Sequence, residues 1–522
     1  MTRALARVTI GRMGQADSQS RAAALPSTAI VGIVGAGAMG SGIAEVAAAA
    51  GHSVLLFDSA SGAAEGAKAR IAESFTARAA RGKLAPAEAS AAGVRVSVVR
   101  TLAALAPAAL IIEATPEDAA TKRELFITLE AIADPGAVLA TNTSSLSVAD
   151  LARGLKRPER FAGMHFFNPA PVLKLVEIVR GPATAEPVAQ ILFKTALAWG
   201  KTPVHVRDAP GFIVNRVARP FYLEALSLYE DSTDPETLDA VMRDSGGFRM
   251  GPFELMDMIG HDVNLATSRS VFEAFARDPR FAPSRAQAEL VAAGRLGRKS
   301  GQGIYDYRPG AAQPAPQELP PGPRPSRVVI AGDLGPAESL AQAIVASGIP
   351  CAQGSGEGRI VLDDATLMLT DGRTATRRVA EGAPRDLVLF DLAFDYGSAR
   401  RIGLATAALP PSTSLAAAAG LIQALGKIAS PLADTPALVV LRIVARLANE
   451  AAFAVEDGIA EAAAVDTALR AGANYPRGPL AWAAALGPAR VLAVLAALGE
   501  AHGAARYRPS ARLREMASLA QT

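Results

Sequence analysis

Residues 29–34 (AIVGIV) form a short apolar run that leads straight into GAGAMG (35–40), followed by a stretch of small residues. No other feature narrows the fold as much. A run of that length bounded by glycine reads as a buried strand, and the spacing Gly35-x-Gly37-x-x-Gly40 suits a strand-to-helix turn. Gly35 permits the tight turn, Gly37 lets the backbone approach a pyrophosphate, and Gly40 allows helix and strand to pack closely. The expected cofactor contacts are therefore Gly35, Ala36, Gly37, Ala38, Met39 and Gly40, at the positive end of the helix. A second strand at 53–57 ends at Asp58, 23 residues after Gly35. A carboxylate there accepts hydrogen bonds from ribose hydroxyls and repels a 2′-phosphate. No Arg follows within several residues, so NAD is favoured over NADP.

Further strands are expected at 109–112, ending at Glu113, and at 137–141, ending at Asn142. Strands alternating with helical stretches argue for an α/β fold with a parallel sheet covered on both faces. From Pro210 the pattern turns to amphipathic helices, 212–229 and 235–244, and this block closes at GQGIYDY (301–307). A Pro- and Gly-rich stretch, 308–326, reads as an extended, solvated linker. Beyond it the pattern partly repeats, with strands expected at 327–331, 359–362, 367–369 and 387–390. PGFIVNR (210–216) lines up with PALVVLR (436–442), and MGPFE (250–254) with RGPLA (477–481). A length of 522 residues would by itself suggest three or four domains. The repeat replaces that count with two unequal halves. The expected order is a flexible extension (1–27), a dinucleotide-binding domain (28–208), an all-α domain (209–307), the linker, a degenerate α/β segment (327–433) and a second all-α domain (434–522).

The chain has 53 Lys+Arg against 50 Asp+Glu and is 50% hydrophobic. That excludes a disordered chain and gives no electrostatic footprint for nucleic acid. A single cysteine, Cys351, allows no internal disulfide and no thiolate metal cluster, so a reducing compartment and no metal are expected. No apolar run reaches the ~18 residues of a membrane-spanning helix. The Arg-rich residues 1–27 fit either a transit peptide or a flexible tail, and a cytoplasmic location is expected.

Among five histidines, His165 stands out by its setting in RFAGMHFFNP (160–169). Twelve residues on, Glu177 lies in the strand-like run KLVEIV (174–179), where a charged side chain needs a partner. A carboxylate accepting from one ring nitrogen of His165 would fix its tautomer and raise its basicity. The other nitrogen could then take a proton from a substrate hydroxyl beside a nicotinamide. Ser144, in TNTSS (141–145), stands at a strand's C-terminal end and either hydrogen-bonds the reacting oxygen or belongs to a turn that caps the next helix.

At these residues the sequence resembles the NAD-dependent 3-hydroxyacyl-CoA dehydrogenase family. GAGAMG (35–40), IIEATPED (111–118), NTSSL (142–146), RFAGMHFFNP (160–169), KLVEIV (174–179) and PGFIVNR (210–216) follow the family's order over residues 29–307. The resemblance implies oxidation of an (S)-3-hydroxyacyl-CoA to the 3-ketoacyl-CoA, with NAD as cofactor and acyl-CoA as the small-molecule partner. It implies His165 as general base, Glu177 as its orienting group, and Ser144 and Asn215 as hydrogen bonders to substrate oxygens. Asp58, Glu117, Lys122, Ser144, Asn168 and Lys299 match positions around NAD. Ser74, Lys83 and Lys122 match positions near CoA, with Arg81 as a phosphate contact; plain solvated helix charges are the other reading of Lys83 and Arg81.

The second half resembles the duplicated portion of longer bacterial members, such as the 3-hydroxyadipyl-CoA dehydrogenases of phenylacetate breakdown. TDGRT (370–374) and NYPRGP (474–479) carry that likeness. It departs from the catalytic pattern: GDLG (332–335) is not a dinucleotide turn, no HFFNP is present, and Leu441 stands where Asn215 does. One active site, in the first half, is expected. No hydratase-like domain precedes residue 28, so a bifunctional oxidation protein is not expected. The repeat further suggests that the second helical domain packs on the first and stands in for a partner subunit, with a homo-oligomer still open. The alternatives are a β-hydroxyacid dehydrogenase, which would use a lysine base, and a non-catalytic, crystallin-like NAD-binding protein.

Overall fold

The computed structural model describes residues 23–231, 233–409 and 413–520. It divides into two compact units, with the boundary between Asp208 and Ala209.

The first unit is built on eight strands: β1 (Val31–Val34), β2 (Val54–Phe57), β3 (Val96–Val98), β4 (Leu110–Glu113), β5 (Val138–Thr141), β6 (Phe161–Phe166), β7 (Leu175–Arg180) and β8 (Thr202–Arg207). Their order in the sheet is β3-β2-β1-β4-β5-β6-β7-β8. The strands read from the alternation of apolar runs recur within two residues at each end. β1, β4 and β5 are buried along their whole length, which is why they read as continuous apolar runs. Strand order reverses between β1 and β4, so a ligand crevice opens at their C-terminal ends. The small residues of helix Ala38–Ala49 let it lie close on the sheet, with Ile43, Ala44 and Ala47 fully buried.

Two features differ from expectation. The sheet is not wholly parallel: β6 and β7 run antiparallel, with His165 directly opposite Glu177. The N-terminal extension is tied down before residue 28, since the Leu25 N–H donates to Thr195 Oγ1 at 3.0 Å and Leu25 packs on the core. Residues 1–22 of that expected flexible segment lie outside the described residues.

In the second unit the helix expected over 212–229 is two helices, Val214–Val217 and Arg219–Glu230. Pro220 is the cause: it has no N–H to donate and its ring excludes the preceding turn's carbonyl, so it starts a helix and cannot continue one. In the second repeat Arg446 occupies that place, and a single helix runs over Val440–Glu456. The linker 308–326 is extended as expected but not solvated throughout. The Gln317 N–H donates to Thr237 Oγ1 (2.7 Å), Leu319 N–H to the Ala429 carbonyl (2.8 Å) and Gly322 N–H to Gln423 Oε1 (2.8 Å).

The second sheet has seven strands: β9 (Val328–Ala331), β10 (Cys351–Gly354), β11 (Arg359–Val361), β12 (Thr366–Leu369), β13 (Leu387–Phe390), β14 (Arg401–Thr406) and β15 (Ile428–Pro431), in the order β10-β9-β11-β12-β13-β14-β15. This is the first sheet's order with the β3 equivalent missing. One strand is reversed: β11, at the place of β4, runs antiparallel to β9. Two strand ends therefore do not meet there to form a crevice.

The two helical repeats pack together by reciprocal buried ion pairs. Arg216 Nε donates to Glu450 Oε1 at 2.8 Å, and Arg442 Nε donates to Glu224 Oε2 at 2.8 Å. All four side chains are fully buried. Glu224 follows Arg216 by eight residues, as Glu450 follows Arg442. Each repeat thus offers the other the same Arg and the same Glu, the pattern of a two-fold interface. Among the described residues no single helix is long and apolar enough to cross a membrane.

Candidate active site

The glycine turn has the geometry its spacing demands. Gly35 has φ +102°, and a Cβ there would strike the Ala114 carbonyl; a Cβ on Gly40 would fall on the Gly35 carbonyl. Gly37 faces open space, with nothing within 4 Å of where its Cβ would be. It is the N-cap of helix Ala38–Ala49, which has no side-chain cap and no acid in its first turn. The helix N-terminus thus keeps its positive end and its donors for a bound anion. Asp58 sits at the end of β2, where Oδ2 accepts from the Ala36 N–H (2.6 Å) and Oδ1 from the Ala60 N–H (2.8 Å). A carboxylate has lone pairs beyond those two, so the residues present fit a dinucleotide with free ribose hydroxyls.

Behind the crevice lies a buried charge network. Glu113, fully buried at the end of β4, accepts from Lys122 Nζ (2.5 Å), Thr115 N–H and Oγ1 (both 2.6 Å) and Thr141 Oγ1 (2.7 Å). Lys122 is 1% exposed, and its remaining protons go to the Thr115 carbonyl (3.1 Å) and Glu117 Oε2 (3.2 Å). Its three donors are spent inside the protein. Lys122 therefore sits beneath Glu117. Glu117 in turn gathers the serine turn: Oε1 accepts from Thr143 Oγ1 (2.5 Å), Ser144 N–H (3.0 Å) and Ser145 Oγ (3.0 Å). Burial alone would raise the Glu117 carboxyl; the Thr143 hydroxyl, the Lys122 ammonium and the Ser144 N–H hold it below the usual range. This arrangement fixes Ser144 at the mouth of the crevice, its hydroxyl 3.5 Å from the same oxygen.

His165 Nδ1 and Glu177 Oε2 are 2.7 Å apart, with His165 6% exposed and Glu177 fully buried. The pairing follows from the antiparallel register, since directly opposed residues project from the same face. A carboxylate on Nδ1 makes that nitrogen the protonated one and directs basicity to Nε2. The Asn142 side chain accepts the Phe166 N–H at 2.8 Å and so ties the end of β6 to the end of β5.

The other predicted residues are more scattered. Ser74 Oγ donates to Glu45 Oε1 at 2.9 Å, while Arg81 and Lys83 are solvent-exposed at the end of helix Ala63–Ala80. Asn168 is exposed just past β6. Asn215 and Lys299 belong to the second unit; there the Asn215 carbonyl accepts from Arg219 Nε (2.9 Å) and Lys299 pairs with Asp262 (2.6 Å). Sequence reasoning missed Glu113, Thr143 and Asn142 as members of the site. The available signal was Glu113 itself, an acid ending an apolar strand with a lysine nine residues on.

In the second sheet the position of His165 is taken by Asp391. Its N–H donates to the Gly403 carbonyl at 2.9 Å across β13 and β14, so Gly403 stands where Glu177 does. The Asp391 carboxylate accepts N–H groups of Val439 (3.1 Å), Val440 (2.7 Å) and Leu441 (3.3 Å) at the start of helix Val440–Glu456. Burial pushes its pKa up to about 6. Where the first sheet has a His–Glu pair, the second has a carboxylate that anchors a helix.

Comparison with known proteins agrees with this layout. Residues 30–209 match the model described as 3-hydroxyacyl-CoA dehydrogenase, NAD binding domain. Residues 211–307 and 438–522 both match its C-terminal domain, and 367–436 match a 3-hydroxybutyryl-CoA dehydrogenase reduced Rossmann-fold domain. The chain is 42% identical over 490 residues to the 3-hydroxyadipyl-CoA dehydrogenase of Escherichia coli, covering 94% of this chain and 97% of that one. It is 39% identical over 289 residues to the mitochondrial hydroxyacyl-coenzyme A dehydrogenase of Sus scrofa, covering 53% of this chain and 91% of that one. Among solved structures, a 3-hydroxybutyryl-CoA dehydrogenase from Escherichia coli superposes with a TM-score of 0.85 at 41% identity, covering 94% and 98% of the two chains.

Proposed function

We propose that this chain, which belongs to the 3-hydroxyacyl-CoA dehydrogenase family, oxidises (S)-3-hydroxyacyl-CoA to 3-ketoacyl-CoA at a single site in its first unit. NAD, held at the turn 35–40 and Asp58, supplies the hydride acceptor. His165 Nε2 takes the proton of the 3-hydroxyl as the C–H bond breaks, and Glu177 holds the ring and stabilises the imidazolium that results. The Ser144 hydroxyl donates to the same substrate oxygen, and Glu117 fixes the turn that carries it. Asn168, just past β6, completes the cofactor set of the first unit. Ser74, Arg81 and Lys83 belong to the CoA end. Lys122 serves the cofactor only through Glu117.

The observation that carries this reading is the 2.7 Å His165–Glu177 pair, set in the sheet that bears an uncapped glycine turn. The lysine base of a β-hydroxyacid dehydrogenase has no counterpart at this position. The acyl group is that of 3-hydroxyadipyl-CoA or 3-hydroxybutyryl-CoA, supported by near full-length likeness to Escherichia coli enzymes named for each. We also read the protein as cytoplasmic, supported by the single thiol Cys351, which leaves no internal disulfide. The second helical repeat then takes the role of a partner subunit. Measuring kcat/KM for both CoA esters with NAD tests the assignment. NADH formation with at least one is expected, and the ratio of the two values assigns the acyl group; no turnover of either would reject the reaction.

A further inference from the structure

A cavity of about 330 Å³ opens in the first unit away from the glycine turn, beside the C-terminal half of helix Ala38–Ala49. Three cations and one acid line it: Arg78, Lys174, Lys201 and Glu45, with Trp199 and Val46 among the apolar wall residues. The acid is already engaged. Glu45 Oε1 accepts from Ser74 Oγ (2.9 Å) and from Arg78 Nη1 (3.4 Å). Lys201 is only 7% exposed and is held in the wall by two neutral acceptors, the carbonyls of Ala170 and Leu173. Carbonyl oxygens satisfy its N–H donors without cancelling its charge. Burial, with Lys174 and Arg78 nearby, pushes its pKa down to about 8, against the pull of Glu45. Lys174 is exposed at the rim, its ammonium 3.5 Å from the Gly200 carbonyl. A concave, partly aromatic site with surplus positive charge suits a phosphorylated nucleotide better than a bare metal or an apolar chain.

We propose that this cavity binds a phosphoryl group of the nucleotide end of the acyl-CoA, with Arg78 and Lys174 as direct contacts and Lys201 as the buried counter-charge. The assignment rests on the acyl-CoA reading above and extends the substrate site past Ser74, whose hydroxyl shares Glu45 with Arg78. Neither Arg78, Lys174 nor Lys201 takes part in the proton and hydride chemistry, so the cavity sets affinity and not turnover.

The test compares (S)-3-hydroxybutyryl-CoA with the N-acetylcysteamine thioester of the same acid, which lacks the nucleotide. Arg78→Gln with Lys174→Gln should raise KM for the CoA ester about tenfold, the scale of one or two charge-assisted contacts. The kinetics with the short thioester should equal those of the parent protein. Separately, adenosine 3′,5′-bisphosphate should alter the fluorescence of Trp199, compete with the CoA ester and lose its signal in Trp199→Phe. An unchanged KM for the CoA ester in the double variant would overturn the proposal. So would bisphosphate or inorganic phosphate that binds without competing, which would mark a site for a free anion. The fluorescence titration needs no turnover, so a failure of the dehydrogenase reading and a failure of this one give different results.

Discussion

At the residue scale, chemistry here depends on which atom of a pair is committed to the protein. His165 commits Nδ1 to Glu177, and Lys122 commits its whole ammonium to Glu113, Glu117 and the Thr115 carbonyl. Two predictions separate these cases. Glu177→Gln keeps a hydrogen-bond partner but removes the charge that supports an imidazolium, so kcat should fall about 10²-fold or more with little change in KM for NAD. Lys122→Met leaves the Glu113 carboxylate buried without its cation. The cost should be about 3–5 kcal/mol of stability, read by chemical denaturation, together with weaker NAD binding. His165 was legible in the sequence because a motif surrounds it. Glu113 was not, since its partners Thr141 and Lys122 meet it only when β4, β5 and the helix Ala119–Ile132 assemble.

At the scale of elements, the glycine turn gives a paired test. Gly37→Val should fold normally, because that side chain enters open space, yet raise the Kd for NAD at least tenfold by filling the pyrophosphate's place. Gly40→Val should instead lower the Tm, since its Cβ meets the Gly35 carbonyl. β1, β2, β4 and β5 were readable because each is a short apolar run, whereas β3 and β8, interrupted by polar residues and partly exposed, were not. β10 (CAQG) was not read either, being short and partly exposed, while the three-residue β11 falls within the run expected at 359–362. The break at Pro220 was readable in principle, since proline in the first turn starts a helix; the amphipathic pattern running across it hid the break. The anchor at Asp391 gives a pH prediction. Its pKa is raised to about 6 by burial, so its ionised form is the less favourable one in the folded state. Asp239, buried likewise, is raised to about 7. A raised carboxyl contributes stability below its unfolded pKa and loses it as pH climbs through the folded value. Unfolding of the second unit should therefore become easier as pH rises from about 4 to about 7 by this contribution, and Asp391→Asn should flatten the slope; an unaltered slope contradicts the assignment.

For the whole molecule, the duplication pairs two unlike sheets and two like helical repeats. The reversed β11 leaves no second crevice, and Asp391 and Gly403 stand at the places of His165 and Glu177. What remains of the second half presents Glu450 and Arg442 to the Arg216 and Glu224 of the first repeat. A chain ending at residue 326 would bare Arg216 and Glu224 together with the apolar face around them. Two such copies can satisfy each other's ion pairs, so sedimentation should find a dimer; a soluble monomer of full activity would show that the second repeat supports nothing. Steady-state NADH formation from (S)-3-hydroxyacyl-CoA by His165→Gln, in protein that still binds NAD, tests most directly whether one histidine in the first unit is the base for the whole chain. The expected result is a kcat lower by about 10³-fold or more; a kcat equal to that of the unsubstituted chain would contradict it.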